Sequence, residues 1–162
     1  MTPDPGLLQR ELKQSRPFLT TGEEAILGIL RTGDLVRRHF AQVLEPFEVS
    51  TQQYNVLRIL RGAGERGLPT LEIAERMVEH SPGITRLIDR LVAHGWADRS
   101  RCSEDRRVVY CRITSKGLAL LEEVEEPLRV AHDEVLRNLP EGQQKALIGL
   151  LDALRGGDTP TC

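Results

Sequence analysis

The chain has 162 residues, of which 40% are hydrophobic and 28% charged, and a formal net charge of −2. That length supports one domain with a sizeable core, or a domain plus an assembly element, and the composition excludes wholesale disorder. No apolar run reaches the roughly 18 residues that a membrane-spanning helix needs. The stretch "MTPDPGLLQRELKQSR" lacks the basic-then-apolar layout of a secretory signal, so the chain is expected to stay in the cytoplasm. Cys102, Cys111 and Cys162 are widely spaced with no CxxC, which suggests neither a disulfide framework nor a zinc site. His39, His80, His94 and His132 are scattered, and HExxH, GxSxG, P-loop and paired-acid patterns are absent. Neither catalysis nor a cofactor is expected.

In chain order, residues 1–22 read as an arm punctuated by Pro and Gly, with at most a short helix. From about Glu23 to Phe47 the apolar residues Ile26, Leu27, Leu30, Leu35, Val36, Phe40, Val43, Leu44 and Phe47 predict a long amphipathic helix. Its stripe is wide enough to pack on more than one neighbour. "EVSTQQYNVLRILRGAG" predicts a second helix with Ser50 or Thr51 as N-cap and a stop at Gly62 and Gly64. After the short extended piece "ERGLP", "TLEIAERM" predicts a compact third helix carrying Leu71, Ile73, Ala74 and Met77.

"EHSPGITRLIDRLVAHGW" then places Ser81 as N-cap, Pro82 at the first helical position and Gly95 just past the end. Ile84, Leu87, Ile88 and Leu91 form the face expected to be buried, with Thr85, Arg86, Asp89 and Arg90 opposite. Two short helices, over about 70–78 and 81–94, joined by a tight turn make a helix-turn-helix, whose second helix would enter a DNA major groove. Ala97 to Arg101 and Val108 to Ile113 read as strands around a polar tip, a wing attached directly to that helix. The wing would lie along the phosphate backbone, with the guanidinium groups of Arg106 and Arg107 suited to an adjacent, electronegative minor groove.

Charge agrees with this placement. Between His80 and Lys116 eight basic residues face four acidic ones, a local +4 that leaves the rest of the chain at −6. It is the local potential that a phosphate backbone feels.

Past the wing, "TSKGLALLEEVEEPLRVAHDEVLRNL" carries Leu118, Leu121, Val124, Leu128, Ala131 and Val135, in a helix expected to bend or break near Pro127. "PEGQQKALIGLLDALRGG" adds Leu147, Leu150, Leu151 and Leu154, and residues 157–162 read as a flexible tail. The apolar helix at both ends exceeds what one small winged domain needs to cover its core, which implies a partner surface.

The order of elements, with "SPGITRLIDRLVAHGW" and the Asp-x-Arg motif Asp105-Arg106-Arg107 before "VVYCRITSKG", resembles the MarR (multiple antibiotic resistance regulator) family over roughly Glu23 to Arg155. The resemblance implies a mainly α fold with a small β-wing, a winged helix-turn-helix over 49–113 and dimerisation helices over 23–48 and 114–156. It implies a homodimer on pseudo-palindromic double-stranded promoter DNA, with half-sites about 34 Å apart. Ser81, Gly83, Thr85, Arg86 and Arg90 would contact bases or phosphates. Arg107, with Arg106 beside it, would enter the minor groove, and Asp105 would orient the wing arginines. Relatives that bind phenolic or aromatic acids imply a repressor relieved by a small-molecule effector, with His39, Phe40, Tyr54 and Trp96 as candidate lining residues.

Competing readings of the same residues stand beside these. Arg86 and Arg90 also read as surface charges paired with Asp89 or Glu79, although their placement opposite the apolar face favours DNA contact. His39, Phe40 and Tyr54 read equally as packed core, and Trp96 as a plug between helix and wing. Cys102, near Arg101, Arg106 and Arg107, suits an oxidant sensor or an incidental thiol. A winged helix used for protein–protein contact is the alternative to DNA binding, and sequence-specific duplex binding separates the two.

Overall fold

A computed structural model describes residues 6–79, 83–101 and 109–156. Arm and long helix come first: a one-turn helix α1 (Leu7–Glu11) precedes α2 (Thr21–Leu44). Thr20 caps α2 by accepting the Glu23 N–H at 3.0 Å, while the Glu23 carboxylate accepts the Leu19 N–H at 2.7 Å. A 3₁₀ turn at Glu45–Phe47 ends on Glu48 in the left-handed region and passes the chain to α3 (Thr51–Ala63). Here Ser50 and Gln53 form a reciprocal capping box. The Gln53 N–H donates to the Ser50 hydroxyl at 3.2 Å and the Ser50 N–H to the Gln53 amide oxygen at 2.9 Å.

The extended piece after α3 is a strand, β1 (Leu68–Pro69), followed by α4 (Thr70–Glu75) and α5 (Ile84–Ala93). Strands β2 (Ala97–Arg101) and β3 (Val109–Ile113) complete an antiparallel sheet in the order β1-β3-β2, with Ala97 opposite Ile113 and Leu68 opposite Cys111. The expected hairpin is therefore two strands of a three-stranded sheet. Helices α6 (Ser115–Leu136) and α7 (Glu141–Gly156) follow.

One core joins these elements. Val56, Leu57 and Leu60 of α3, Ile73 of α4, Ile88 and Leu91 of α5, Cys111 of β3 and Val124 of α6 are all essentially inaccessible. Burying each such aliphatic side chain is worth about 1.5–3 kcal/mol.

Several local expectations change. Helix α5 begins at Ile84 with Gly83 as N-cap, and its first bond runs from the Leu87 N–H to the Gly83 carbonyl at 3.0 Å. Ser81 is thus not the cap of the observed helix, and Ser81 and Pro82 lie outside the described residues. Helix α4 stops at Glu75 because Arg76 and Met77 close it with i→i−3 bonds, and Leu71 points outward. Helix α6 runs unbroken through Pro127. The carbonyl that Pro127 leaves without its helical donor belongs to exposed Glu123, where water can serve it, while buried Val124 and Leu128 anchor both sides. The buried α6 positions are Gly117, Leu120, Leu121, Val124, Leu128 and Ala131, and Leu118 faces out.

The end of α5 is the most constrained junction. Gly95, at φ 72°, sits in the left-handed position of a Schellman close. The Trp96 N–H reaches the Leu91 carbonyl and the Gly95 N–H the Val92 carbonyl, each at 2.9 Å. The Thr114 N–H donates back to the Trp96 carbonyl at 3.1 Å, the Thr114 hydroxyl to the Gly95 carbonyl at 2.7 Å, and Lys116 Nζ to the His94 carbonyl at 2.9 Å. Gly117 lies so close that a Cβ there would run into the Trp96 carbonyl and the Ile113 side chain. Gly117→Ala is expected to cost about 2 kcal/mol or more by overpacking. Gly62→Ala, where an added Cβ meets nothing within 4 Å, should be neutral or stabilise by up to about 1 kcal/mol. Urea-unfolding midpoints of the two variants test the contrast.

Candidate nucleic-acid interface

Helix α5 divides as its sequence pattern implies. Leu87, Ile88 and Leu91 are buried, Ile84 packs against the same cluster, and Thr85, Arg86, Asp89 and Arg90 are exposed on the opposite side. The carboxylates expected to neutralise the two arginines are engaged elsewhere: Asp89 by Arg99 and Glu79 by Arg37. Arg86 and Arg90 make no ion pair among the described residues. Two free guanidinium groups on one exposed helix face are a ready contact for phosphate or for guanine edges.

Arg99 is the residue that sequence reasoning left without a role. Placed on β2 opposite Cys111, it reaches back to α5, donating to Asp89 Oδ1 at 2.5 Å and to the Thr85 carbonyl at 3.3 Å. It therefore fastens wing to helix with one side chain and offsets the one acid on the exposed face. Its only sequence signal was membership of the basic stretch, since the partner depends on the strand's position relative to the helix. The β2–β3 ladder extends to Arg101 opposite Val109. The tip residues Cys102, Asp105, Arg106 and Arg107 lie outside the described residues, as does Ser81. Thr85 keeps a free side-chain face, and Gly83 opens α5 with no atom near its Cβ position.

A cavity of about 450 Å³ lies between α2, α3, α6 and residues 77–79 that follow α4. Phe40 and Tyr54 line it, together with Arg37, Arg58, Val78 and His132. Arg58 stands 5.9 Å from the Tyr54 ring centroid. Two of the expected lining residues are placed elsewhere. Trp96 is buried at the helix–wing junction and stacks on His94, with centroids 4.3 Å apart. His39 turns toward α6, its Nε2 at 3.2 Å from the Glu134 carboxylate without hydrogen-bond alignment. A helical period places His39 beside Phe40 in sequence but about 100° around the axis, on a different face.

A helix-turn-helix whose second helix runs into an antiparallel sheet defines the winged helix-turn-helix class. A family model described as MarR family matches residues 49–109. The chain is 41% identical to a MarR transcription factor from Planctomyces limnophilus of known crystal structure. That match covers 85% of this chain and 99% of the other, with a TM-score of 0.66. It is 27% identical to the HTH-type transcriptional regulator FarR of Neisseria gonorrhoeae over 75% of this chain and 81% of that protein. The fold also matches a mutant of E. coli MarR solved with operator DNA. The TM-score is 0.73 and the identity 23%, over 92% of this chain and 98% of the other. The chain belongs to the MarR family, a class of DNA-binding transcriptional regulators and not of enzymes.

Arg99→Ala leaves Asp89 uncompensated beside Arg86 and Arg90 and unties helix from wing. Duplex affinity is expected to fall about tenfold, the effect of losing a charge-assisted bond worth about 1.5 kcal/mol. Arg99→Lys, which keeps charge but not the fork, should recover only part of that in a fluorescence-anisotropy titration.

Proposed function

We propose that this regulator is a homodimeric repressor that binds pseudo-palindromic promoter DNA and is displaced by a small-molecule effector. The observation that carries the DNA part is the exposed α5 face, with Arg86 and Arg90 unneutralised among the described residues and Arg99 bracing the helix against the wing. In this reading Thr85, Arg86 and Arg90, with Ser81 and Gly83, meet the major groove. Arg107 and Arg106 at the wing tip reach the minor groove, with Asp105 orienting them. That a mutant of the E. coli relative was solved with operator DNA supports the DNA part of this reading.

The dimer reading rests on apolar surface. Helix α7 has no buried residue, and Leu147, Ile148, Leu150 and Leu154 are exposed along it. Ile26, Ile29 and Leu30 of α2 are exposed too. A helix with no buried face gains too little from its own hydrogen bonds to persist in water, so a second copy that covers both ends accounts for it. The effector reading rests on the cavity, whose volume falls in the range of small-molecule sites. A ligand there would change the separation of the two α5 helices and so their match to half-sites.

Titration against the DNA upstream of its own gene tests the first part. Arg86→Ala and Arg107→Ala should each weaken specific binding and lower the salt slope by about one unit. Equal affinity for scrambled duplex would favour a protein-docking role over this one. For the dimer, Leu150→Glu with Ile26→Glu should give monomers by sedimentation velocity, with operator affinity down at least about a hundredfold. A variant that stays dimeric would place the interface elsewhere.

A further inference from the structure

The sheet has two faces, and only one of them meets α5. Residues directly opposite in a ladder share a face, so Arg99 lies with buried Cys111 on the inner side, from which it reaches α5. Tyr110 belongs to the other face, opposite Ser100 of β2 and Pro69 of β1. There Arg66, Gly67, Pro69, Glu72, Arg76 and Tyr110 line a notch of about 260 Å³.

Its floor is fixed by backbone. Gly67 has φ 67°, and a Cβ there would run into the Cys111 carbonyl and the Arg112 side chain, so the start of β1 lies directly on β3. Its walls carry an excess of positive charge. Arg76 donates to Glu72 at 3.1 Å along α4, and Glu72 is the one acid in the lining. Arg66 and the Tyr110 hydroxyl have no ion pair or side-chain hydrogen bond among the described residues. One free guanidinium, the unused N–H groups of a second and a phenol converge on a small space with little apolar wall. That donor set suits a compact anion with oxygens on several sides, a phosphate group, and leaves no room for a ligand with an apolar body.

The position of the notch says where such a phosphate comes from. Glu72 and Arg76 belong to α4, the first helix of the helix-turn-helix, and in this motif the first helix crosses the phosphate backbone. Strand β1 runs toward the wing tip, since Leu68 faces Cys111 and Pro69 faces Tyr110, and the described ladder ends one pair further on, at Arg101 and Val109. We infer that Arg66, Arg76 and Tyr110 hold a backbone phosphate of the bound duplex, on the far side of the wing from α5 and so outside the bases that α5 reads. This contact rests on the DNA-binding reading above and extends the site past each half-site. A phosphate contact positions the protein and carries no sequence information.

Arg66→Gln should therefore weaken binding to operator and to scrambled duplex by the same factor. In a dimer it should lower the salt slope by about two units, one for each notch. Arg61→Gln is the control for overall charge: Arg61 is exposed on α3, does not line the notch, and should leave the slope unchanged. On a duplex trimmed to the half-sites alone, Arg66→Gln and wild type should bind equally, because the phosphate that Arg66 holds is gone. Thermal melting checks that the variants stay folded.

A wild-type slope in Arg66→Gln on the long duplex overturns the contact, and so does an equal loss in Arg61→Gln or a loss that persists on the trimmed duplex. Calorimetry with inorganic phosphate tests the other source. Heat with wild type but not with Arg66→Gln, beside an unchanged salt slope, would assign the notch to a free phosphate and overturn the backbone contact. A wild type that binds scrambled duplex as well as operator sinks the regulator reading by itself, while the slope of Arg66→Gln still reports on the notch.

Discussion

The close approach of Gly117 to the Trp96 carbonyl is the constraint on which the rest of the structure depends. At this point the end of α5, the start of β2, the end of β3 and the start of α6 all meet. The geometry admits no Cβ at residue 117 and requires a left-handed residue at 95, and Thr114 supplies a hydrogen bond from each of two groups. The bonds from the Gly95, Trp96 and Thr114 N–H groups are backbone bonds, which cannot be re-made by choosing another rotamer. The angle between α5, the sheet and the long helix α6 is therefore set by covalent geometry and close packing, with Trp96 and Leu91 sealing the inner side.

The opposite end of α5 is held differently. Gly83 contributes no side-chain cap, and the ties nearby are side-chain bonds: Arg99 to Asp89 and the Thr85 carbonyl, Asn55 to Val78, Arg37 to Glu79. Bonds of this sort are individually weak and can exchange partners. Helix α5 is thus held at its C-terminal end largely by backbone bonds and, among the described residues, toward its N-terminal end largely by side-chain bonds. Only the N-terminal end of such a helix reaches base edges deeply. On the proposed function, this is the end of α5 that would meet the bases. The cavity is lined in part by Met77, Val78 and Glu79, which precede α5 in the chain.

Periodicity made the helices legible. The buried face of α5 and the stop at Gly95 follow from the apolar spacing and glycine placement. Boundaries were less legible where local signals conflict with tertiary ones. Ser81-Pro82 is a strong helix start by composition, yet the observed helix opens two residues later at Gly83. Pro127 reads as a break, but burial on both sides of it carries α6 through. Long-range pairs were not legible at all. Arg37 finds Glu79 across 42 residues of sequence, and His39, one position from Phe40, leaves the cavity because a helix turns about 100° per residue. Composition shows that charges exist, whereas only the fold decides which are neutralised.

That last distinction governs the electrostatics. A chain of net charge −2 would repel DNA if its charge were spread evenly. Its acids instead gather away from α5, with Glu122, Glu123, Glu125 and Glu126 exposed along α6, where Arg129 hydrogen-bonds Glu126 and holds that carboxyl below its ordinary range. On the α5 face the single acid is occupied by Arg99. At physiological salt, charges separated by more than about 8 Å are largely screened, so the acidic helix does little to weaken a contact made at α5. At longer range and lower salt it disfavours approach by any other face. On the proposed function, the negative body acts on orientation more than on affinity, disfavouring approach of a duplex by the acidic face of α6.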